Sequence, residues 1–360
     1  MSSVVIVGAG QAGFQTAASL RMEKFDGSIT LIGEEQHLPY QRPPLSKALL
    51  AGKQDVDHLP FRPQQFYVDH SIELMLAQRA VSIDRANRRV LLASRTSLDY
   101  DFLVLATGAR VRQLPAPGVL YLRDIDDSLA IRSRLEQASS VAIVGGGFIG
   151  LEVAAVARRM NKNVAVVEAQ QRLMSRSVAP VVSEFFLRLH ESEGVKIVLN
   201  STAIPPADVT IAGIGVLPNV ELAQAAGLDV RAAILVDQCL RTSDPNIFAI
   251  GDCAERNGVH LESVQNAADQ GKHVAAEIAR GPAKYDAVPW FWTDQFDVKL
   301  QMAGISSPRH RTEIQGSVEE RKFSVYYFEG ERLAAVDSIN SPADHVKARK
   351  TLQLSREPTG

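Results

Sequence analysis

Val4-Val5-Ile6-Val7-Gly8-Ala9-Gly10-Gln11-Ala12-Gly13 is a β-rich run passing into Gly-x-Gly-x-x-Gly, and Phe14 to Met22 follows with helical character. Each glycine has a physical task. Gly8 permits a tight turn off the strand, Gly10 lets the backbone approach a pyrophosphate, and Gly13 lets helix and strand pack closely. The helix start then offers free N–H groups and a positive dipole end to the phosphates. Ile29-Thr30-Leu31-Ile32 reads as the next strand, and Glu34 follows where an acid meets a ribose hydroxyl.

The pattern recurs. Val141 to Val144 leads to Gly145, Gly147 and Gly150, then a helix through Arg158, then Val164 to Val167 and Glu168. Two such folds in one chain predict an α/β protein that binds two dinucleotides and passes electrons between them.

Composition narrows the classes. At 360 residues, 46% hydrophobic and 22% charged, the chain reads as an ordinary soluble protein of two or three domains. A net charge of −2 argues against nucleic acid or a membrane surface as main partner. The first strand begins by Val4, so no signal segment is expected. The apolar run Val141 to Ala157 is broken by glycines and Glu152, and reads as a fingerprint rather than a membrane span. Cys239 and Cys253 are too far apart for a short redox or metal motif, so neither a metal site nor a redox disulfide is expected, and a cytoplasmic location is.

Taken in order, residues 1–109 and 235–288 are expected to form one dinucleotide domain, 110–234 a second, and 289–360 a small α+β domain with antiparallel strands. Leu38 to Lys47 is a proline-stiffened loop with two cations, Arg42 and Lys47; a solvated basic loop is the plainer alternative. Ile72–Leu76, Ala80–Ile83 and Arg89–Leu92 suggest a meander. Asp101 to Leu105 returns as a buried strand ending in Ala106-Thr107-Gly108. Residues 110–135 read as a crossover, with Asp126 to Gln137 helical. Val209 to Ala212 runs into Gly213-Ile214-Gly215. The second half has only Asn200 to Ala207 where a meander would belong; the meander is lost, or, the preferred reading, a segment is missing from the chain as read. Ile247 to Ile250 ends at Gly251-Asp252, and Glu262 to Ala279 is a helix. Trp290-Phe291-Trp292, Lys299–Ala303, Lys322–Phe328 and Arg332–Asp337 are expected strands, and Asp344 to Leu354 a closing helix.

Together the motifs Gly8 to Gly13, Arg42-Pro43-Pro44-Leu45-Ser46-Lys47, Ala106-Thr107-Gly108, Gly145 to Glu152, Gly213-Ile214-Gly215, Gly251-Asp252-Cys253-Ala254 and Trp290 to Gln295 span nearly the whole chain. In them the chain resembles the FAD-dependent ferredoxin reductases of bacterial oxygenase systems, of the putidaredoxin reductase and biphenyl-dioxygenase reductase type. The resemblance implies FAD in the first fold, with Gly8, Gly10, Ala12, Gly13, Glu34, Arg42, Lys47, Val81, Ala106, Thr107, Gly108, Arg123, Asp252, Val264 and Trp292 around it. It implies NADH in the second, with Gly145, Gly147, Ile149, Gly150, Glu168 and Gly215. Departures are the short link after Asn200, a short stretch between Ala254 and Glu262, and a short C-terminal tail.

Hydride transfer from nicotinamide to flavin needs two rings held close and a field that tolerates an electron-rich flavin. Lys47 is the candidate for that support, Glu152 its candidate partner, and Trp292 the aromatic beside the flavin. Glu168 favours NADH by repelling a 2′-phosphate, with Arg172 and Arg176 nearby. A two-iron ferredoxin is the expected acceptor, and Arg256, Arg309, His310 and Arg311 are candidate docking cations. His260 and His310 read otherwise as surface residues. Two alternatives stand beside this: an NADH oxidase, which would want a reactive cysteine, and an NADH-responsive flavoprotein of the apoptosis-inducing-factor type.

Overall fold

The computed structural model describes residues 2–355 and divides into two compact units. The first comprises the described residues to Gln41, Leu59–Arg110 and Leu217–Ala287. Its core is a five-stranded parallel sheet in the order Ile247–Ala249, Phe102–Leu105, Ser3–Val7, Ser28–Ile32, Ile72–Met75. A sheet covered on both faces needs continuous apolar strands. Val4, Val5, Ile6, Leu103, Val104, Leu105, Ile247 and Phe248 are accordingly all buried, each contributing ~1.5–3 kcal/mol through its side chain. The helices Gln11–Met22 and Val264–Arg280 meet through Gly271, where a Cβ would lie 2.8 Å from the Ala12 carbonyl oxygen.

The expected meander is displaced by one strand. Ile72–Met75 joins the parallel sheet, and the antiparallel three are Ala80–Asp84, Arg89–Leu92 and Ser97–Asp99. Three separate turns divide this region, so runs of similar length did not reveal which one belongs to the larger sheet.

The second unit comprises Arg42–His58, Val111–Val216 and the described residues from Val288 on. Its parallel sheet runs Lys196–Val198, Asn163–Val167, Ser140–Val144, Val209–Ala212, Val119–Tyr121. In both sheets the fingerprint strand is flanked by the strand leading to the acid on one side and by a strand ending in a small-residue turn on the other. Val119–Tyr121 is an added strand within what the sequence offered as a crossover, and the helix Pro180–Ser192 is a further addition. The helix Ile125–Gln137 starts at a capping box, with Asp127 N–H donating to Asp124 and the Asp127 carboxylate accepting from Asp124 N–H.

Residues 200–207 contain no strand. Asn200 takes a positive φ of 54°, and the link is tied down where Asn200 N–H donates to the Gln170 carbonyl and Ser201 N–H to that of Glu168. The same unit holds the five-stranded antiparallel sheet Trp290–Gln295, Val298–Gly304, Arg332–Ile339, Lys322–Glu329, Arg311–Ser317, with the helix Pro342–Leu354 against it. Arg311–Ser317 escaped the sequence reading because nearly all its residues are exposed and no apolar alternation marks it. Residues 356–360 of the expected third domain lie outside the described residues.

Candidate functional site

In the first unit, four chain reversals gather at the carboxyl edge of the parallel sheet, where such sheets bind ligands. They are Gly8 to Gly13, the Glu34 turn, Ala106-Thr107-Gly108 and Gly251-Asp252-Cys253. Gly8 has φ +112°, and a Cβ there would sit 2.1 Å from the Ala106 carbonyl oxygen; one on Gly13 would sit 1.9 Å from that of Gly8. Gly10 differs: a Cβ there would meet nothing within 4 Å. Two crowded glycines thus frame one that opens onto free space at the helix start. That is the shape a pyrophosphate requires, close to backbone and bare of side chain.

The second unit repeats it. A Cβ on Gly145 would lie 2.4 Å from the Gly213 carbonyl oxygen and one on Gly150 2.2 Å from that of Gly145, while Gly147 has only one neighbour, at 3.9 Å. Both open glycines precede the first residue of their helix in extended geometry, at φ −76° and −82°. The residues present therefore fit two dinucleotides.

The other expected residues of the first unit have the following surroundings. Ala12 lies in the first turn of the first helix, 3.2 Å from where a Gly251 Cβ would be. Thr107 Oγ1 donates to the Asn219 carbonyl at 2.7 Å, and Asn219 returns its Nδ2 to the Thr107 carbonyl at 2.9 Å and its backbone N–H to that of Gly108. Asn219 thereby fixes the Ala-Thr-Gly turn, a role no sequence spacing showed. Glu34 is largely exposed, 3.7 Å from Arg79. Val81 is exposed on the antiparallel sheet, and Val264 begins its helix, capped by Ser263. The Asp252 carbonyl accepts from His260 Nε2 at 2.8 Å, so His260 is half-buried and engaged rather than a free surface residue.

In the second unit, Glu168 directly follows the strand Asn163–Val167 and accepts from Gly146 N–H at 2.7 Å and Gln170 N–H at 2.8 Å. Arg172 does not face it: its guanidinium is bound to the Val178 and Ser175 carbonyls and Ser183. Arg176 lies instead near Gly215, its Nη2 3.6 Å from where a Cβ would be. Ile149 is 46% exposed at the start of the second fingerprint helix.

The loop carrying Arg42 and Lys47 belongs to this unit. Arg42 Nη1 donates to the Arg123 carbonyl at 2.6 Å, and Ser128 Oγ to that of Leu45 at 2.8 Å. Lys47 Nζ lies 2.7 Å from Glu152 Oε2, and Ser46 Oγ donates to the same oxygen. Thr293 Oγ1 donates to Glu152 Oε1 at 2.6 Å. Glu152, 3% exposed, is therefore no solvated helix charge; it is a buried carboxylate with three partners, as burial of a charge demands. Ser46 and Thr293 were not singled out in sequence, although both lie within quoted motifs. Trp292 is half-buried beside Trp290, ring centroids 5.5 Å apart.

Among docking candidates, Arg256 lies over the Tyr285 ring, and Arg311 pairs with Glu313 and covers Phe328. Cys253 is fully buried, and burial pushes its thiol up, away from the reactive thiolate. Cys239 is likewise raised, chiefly by desolvation and then by Glu277 and Asp237.

Residues 2–271 match the family model described as pyridine nucleotide-disulphide oxidoreductase, and residues 290–359 the one described as reductase C-terminal. The chain belongs to this family of flavin- and nicotinamide-dependent oxidoreductases. Among its relatives is rhodocoxin reductase of Rhodococcus erythropolis, 45% identical over 97% of this chain and 89% of that protein. The ferredoxin reductase of the CYP199A2 system from Rhodopseudomonas palustris superposes with a TM-score of 0.95 at 45% identity, covering 99% of this chain and 95% of that one. The reductase in a covalent putidaredoxin reductase–putidaredoxin complex gives 0.94 at 38%, covering 98% and 93%. The alignment with rhodocoxin reductase spans 380 positions against 360 residues here, so that relative carries internal segments this chain lacks. No helix among the described residues is long and apolar enough to cross a membrane.

Proposed function

We propose that the chain is a flavoprotein passing electrons from NADH through FAD to a two-iron ferredoxin that feeds an oxygenase, and that it works in the cytoplasm. The observation that carries this reading is the pair of open-glycine cradles in one chain, one for each dinucleotide. Relatives bearing the names of ferredoxin reductases supply the acceptor class.

In this reading, residues 1–109 and 235–288 hold FAD, 110–234 hold NADH, and 289–360 contribute Trp292. Gly8, Gly10, Ala12 and Gly13 admit the flavin pyrophosphate. Glu34 and Val81 take the adenosine end; Arg42, Ala106, Thr107, Gly108, Arg123, Asp252 and Val264 complete the site. Gly145, Gly147, Ile149, Gly150 and Gly215 seat NADH, and Glu168 accepts from its ribose. FAD, when bound, accepts a hydride and gives up its two electrons one at a time. Lys47 holds a positive charge where the flavin becomes electron-rich, and Glu152 holds Lys47 in place. An inert, buried Cys253 argues against the thiol chemistry an NADH oxidase would want.

Anaerobic titration with NADH, followed by addition of a two-iron ferredoxin, tests this. Flavin bleaching and then reoxidation as ferredoxin is reduced is the expected result. A reduced flavin that passes nothing on would overturn the reading and favour the NADH-responsive alternative.

A further inference from the structure

The Glu152 carboxylate ends a longer buried line. His190 Nε2 lies 2.9 Å from Gln295 Oε1, Gln295 Nε2 is 3.4 Å from Thr293 Oγ1, and Thr293 Oγ1 is 2.6 Å from Glu152 Oε1. His190, Gln295 and Thr293 have no solvent exposure at all. His190 comes from the helix Pro180–Ser192, and Gln295 and Thr293 from the strand Trp290–Gln295.

The chemistry allows one direction of donation. Glu152 beside Lys47 is an acceptor only, so the Thr293 hydroxyl must give its proton to it. That leaves the Thr293 oxygen to accept from the Gln295 amide, whose carbonyl then requires a donor. His190 must therefore carry its proton on Nε2. Its Nδ1 has no hydrogen-bond partner. Burial keeps the ring neutral by pushing its pKa down to about 4. Every dipole points at the carboxylate, and such chains strengthen one another in low dielectric.

We infer that His190, Gln295 and Thr293 are positioning residues for electron transfer, a donor line that fixes the Glu152 carboxylate so that it aims Lys47. This rests on the role proposed for the Lys47–Glu152 pair. The His190 ring packs edge-on against Phe296, ring centroids 5.0 Å apart, and the line supplies the only hydrogen-bond partner found for it among the described residues.

Two measurements test it. Nitrogen-15 NMR of histidine-labelled protein should find His190 neutral and protonated on Nε2; protonation on Nδ1 overturns the direction of the line. Stopped-flow reduction of bound FAD by NADH should then be about tenfold slower in Thr293→Val, the loss expected for one hydrogen bond to a charged group. Thr293→Ser, which restores the hydroxyl, should lie within about twofold of the parent. In a Glu152→Gln background, Thr293→Val should cost less than about twofold more, because nothing is left to position. Equal slowing in the Ser and Val variants, or full additivity with Glu152→Gln, overturns the line. A Glu152→Gln protein that reduces its flavin at the parent rate instead overturns the reading beneath it. Slow Glu152→Gln beside unaffected Thr293→Val overturns the line alone.

Discussion

Gly10→Ala and Gly13→Ala, three residues apart, should fail in opposite ways. At Gly10 the backbone is extended, φ −76°, and an added methyl touches nothing within 4 Å. The empty fold should accept it, and loss of glycine's freedom in the unfolded chain should leave stability equal or ~0.4–1 kcal/mol higher. The methyl would fill the space a pyrophosphate needs, so FAD affinity should fall at least ~100-fold, the equivalent of ~2.7 kcal/mol. At Gly13 the methyl would sit 1.9 Å from the Gly8 carbonyl oxygen. That oxygen is backbone of the turn joining strand to helix and cannot swing aside as a side chain would, so helix and strand must separate, at ~1–3 kcal/mol or more. Thermal unfolding of flavin-free protein, with flavin binding followed by fluorescence, separates the two. Gly10→Ala should keep its Tm and lose FAD; Gly13→Ala should lose both. Parent-like FAD affinity in Gly10→Ala would refute the argument that the open glycine is a phosphate cradle.

Lys47→Ala should retain FAD yet slow its reduction by NADH roughly 10- to 100-fold in stopped flow; an unchanged rate removes Lys47 from the chemistry. Glu168→Gln should narrow the preference for NADH over NADPH by about tenfold, measured as a ratio of kcat/KM values, since one charge near a 2′-phosphate is removed. Burial pushes the fully buried Asp337 carboxyl up to about 7 from its ordinary 3.8, against a bond from the Tyr327 hydroxyl that lowers it. The unfolded chain releases that proton first. The contribution is thus fully present below about pH 4 and lost as pH rises through about 7. Asp337→Asn should therefore gain Tm over the parent as pH is raised across that window, and a constant difference would contradict it.

Much of the architecture was legible because fingerprint strands have to be apolar throughout, and because Gly-x-Gly-x-x-Gly has one physical use between strand and helix. The three central strands of each parallel sheet followed from that. Arg311–Ser317 did not, since an exposed strand has no apolar period to read. Ile72–Met75 reads the same whether it pairs in parallel or turns back. Glu152 was found from its distance to Gly150, but its burial was not, because nothing local says that Ser46 and Thr293 close over it. Asn219 and His190 act across 112 and 105 residues of chain, respectively, and no spacing rule reaches so far.

The outermost strand of the antiparallel sheet, Arg311-Thr312-Glu313-Ile314-Gln315-Gly316-Ser317, pairs on one side only, with Lys322–Glu329. Its other side presents backbone donors and acceptors to any passing strand. Charged Arg311 and Glu313, and Gly316 at φ +94°, make that edge a poor template. The guard against edge-to-edge pairing thus sits in side chains of the outermost strand, away from both glycine cradles. Replacing Arg311 and Glu313 by valine would leave the cradles untouched while inviting copies of the chain to zip together at high concentration.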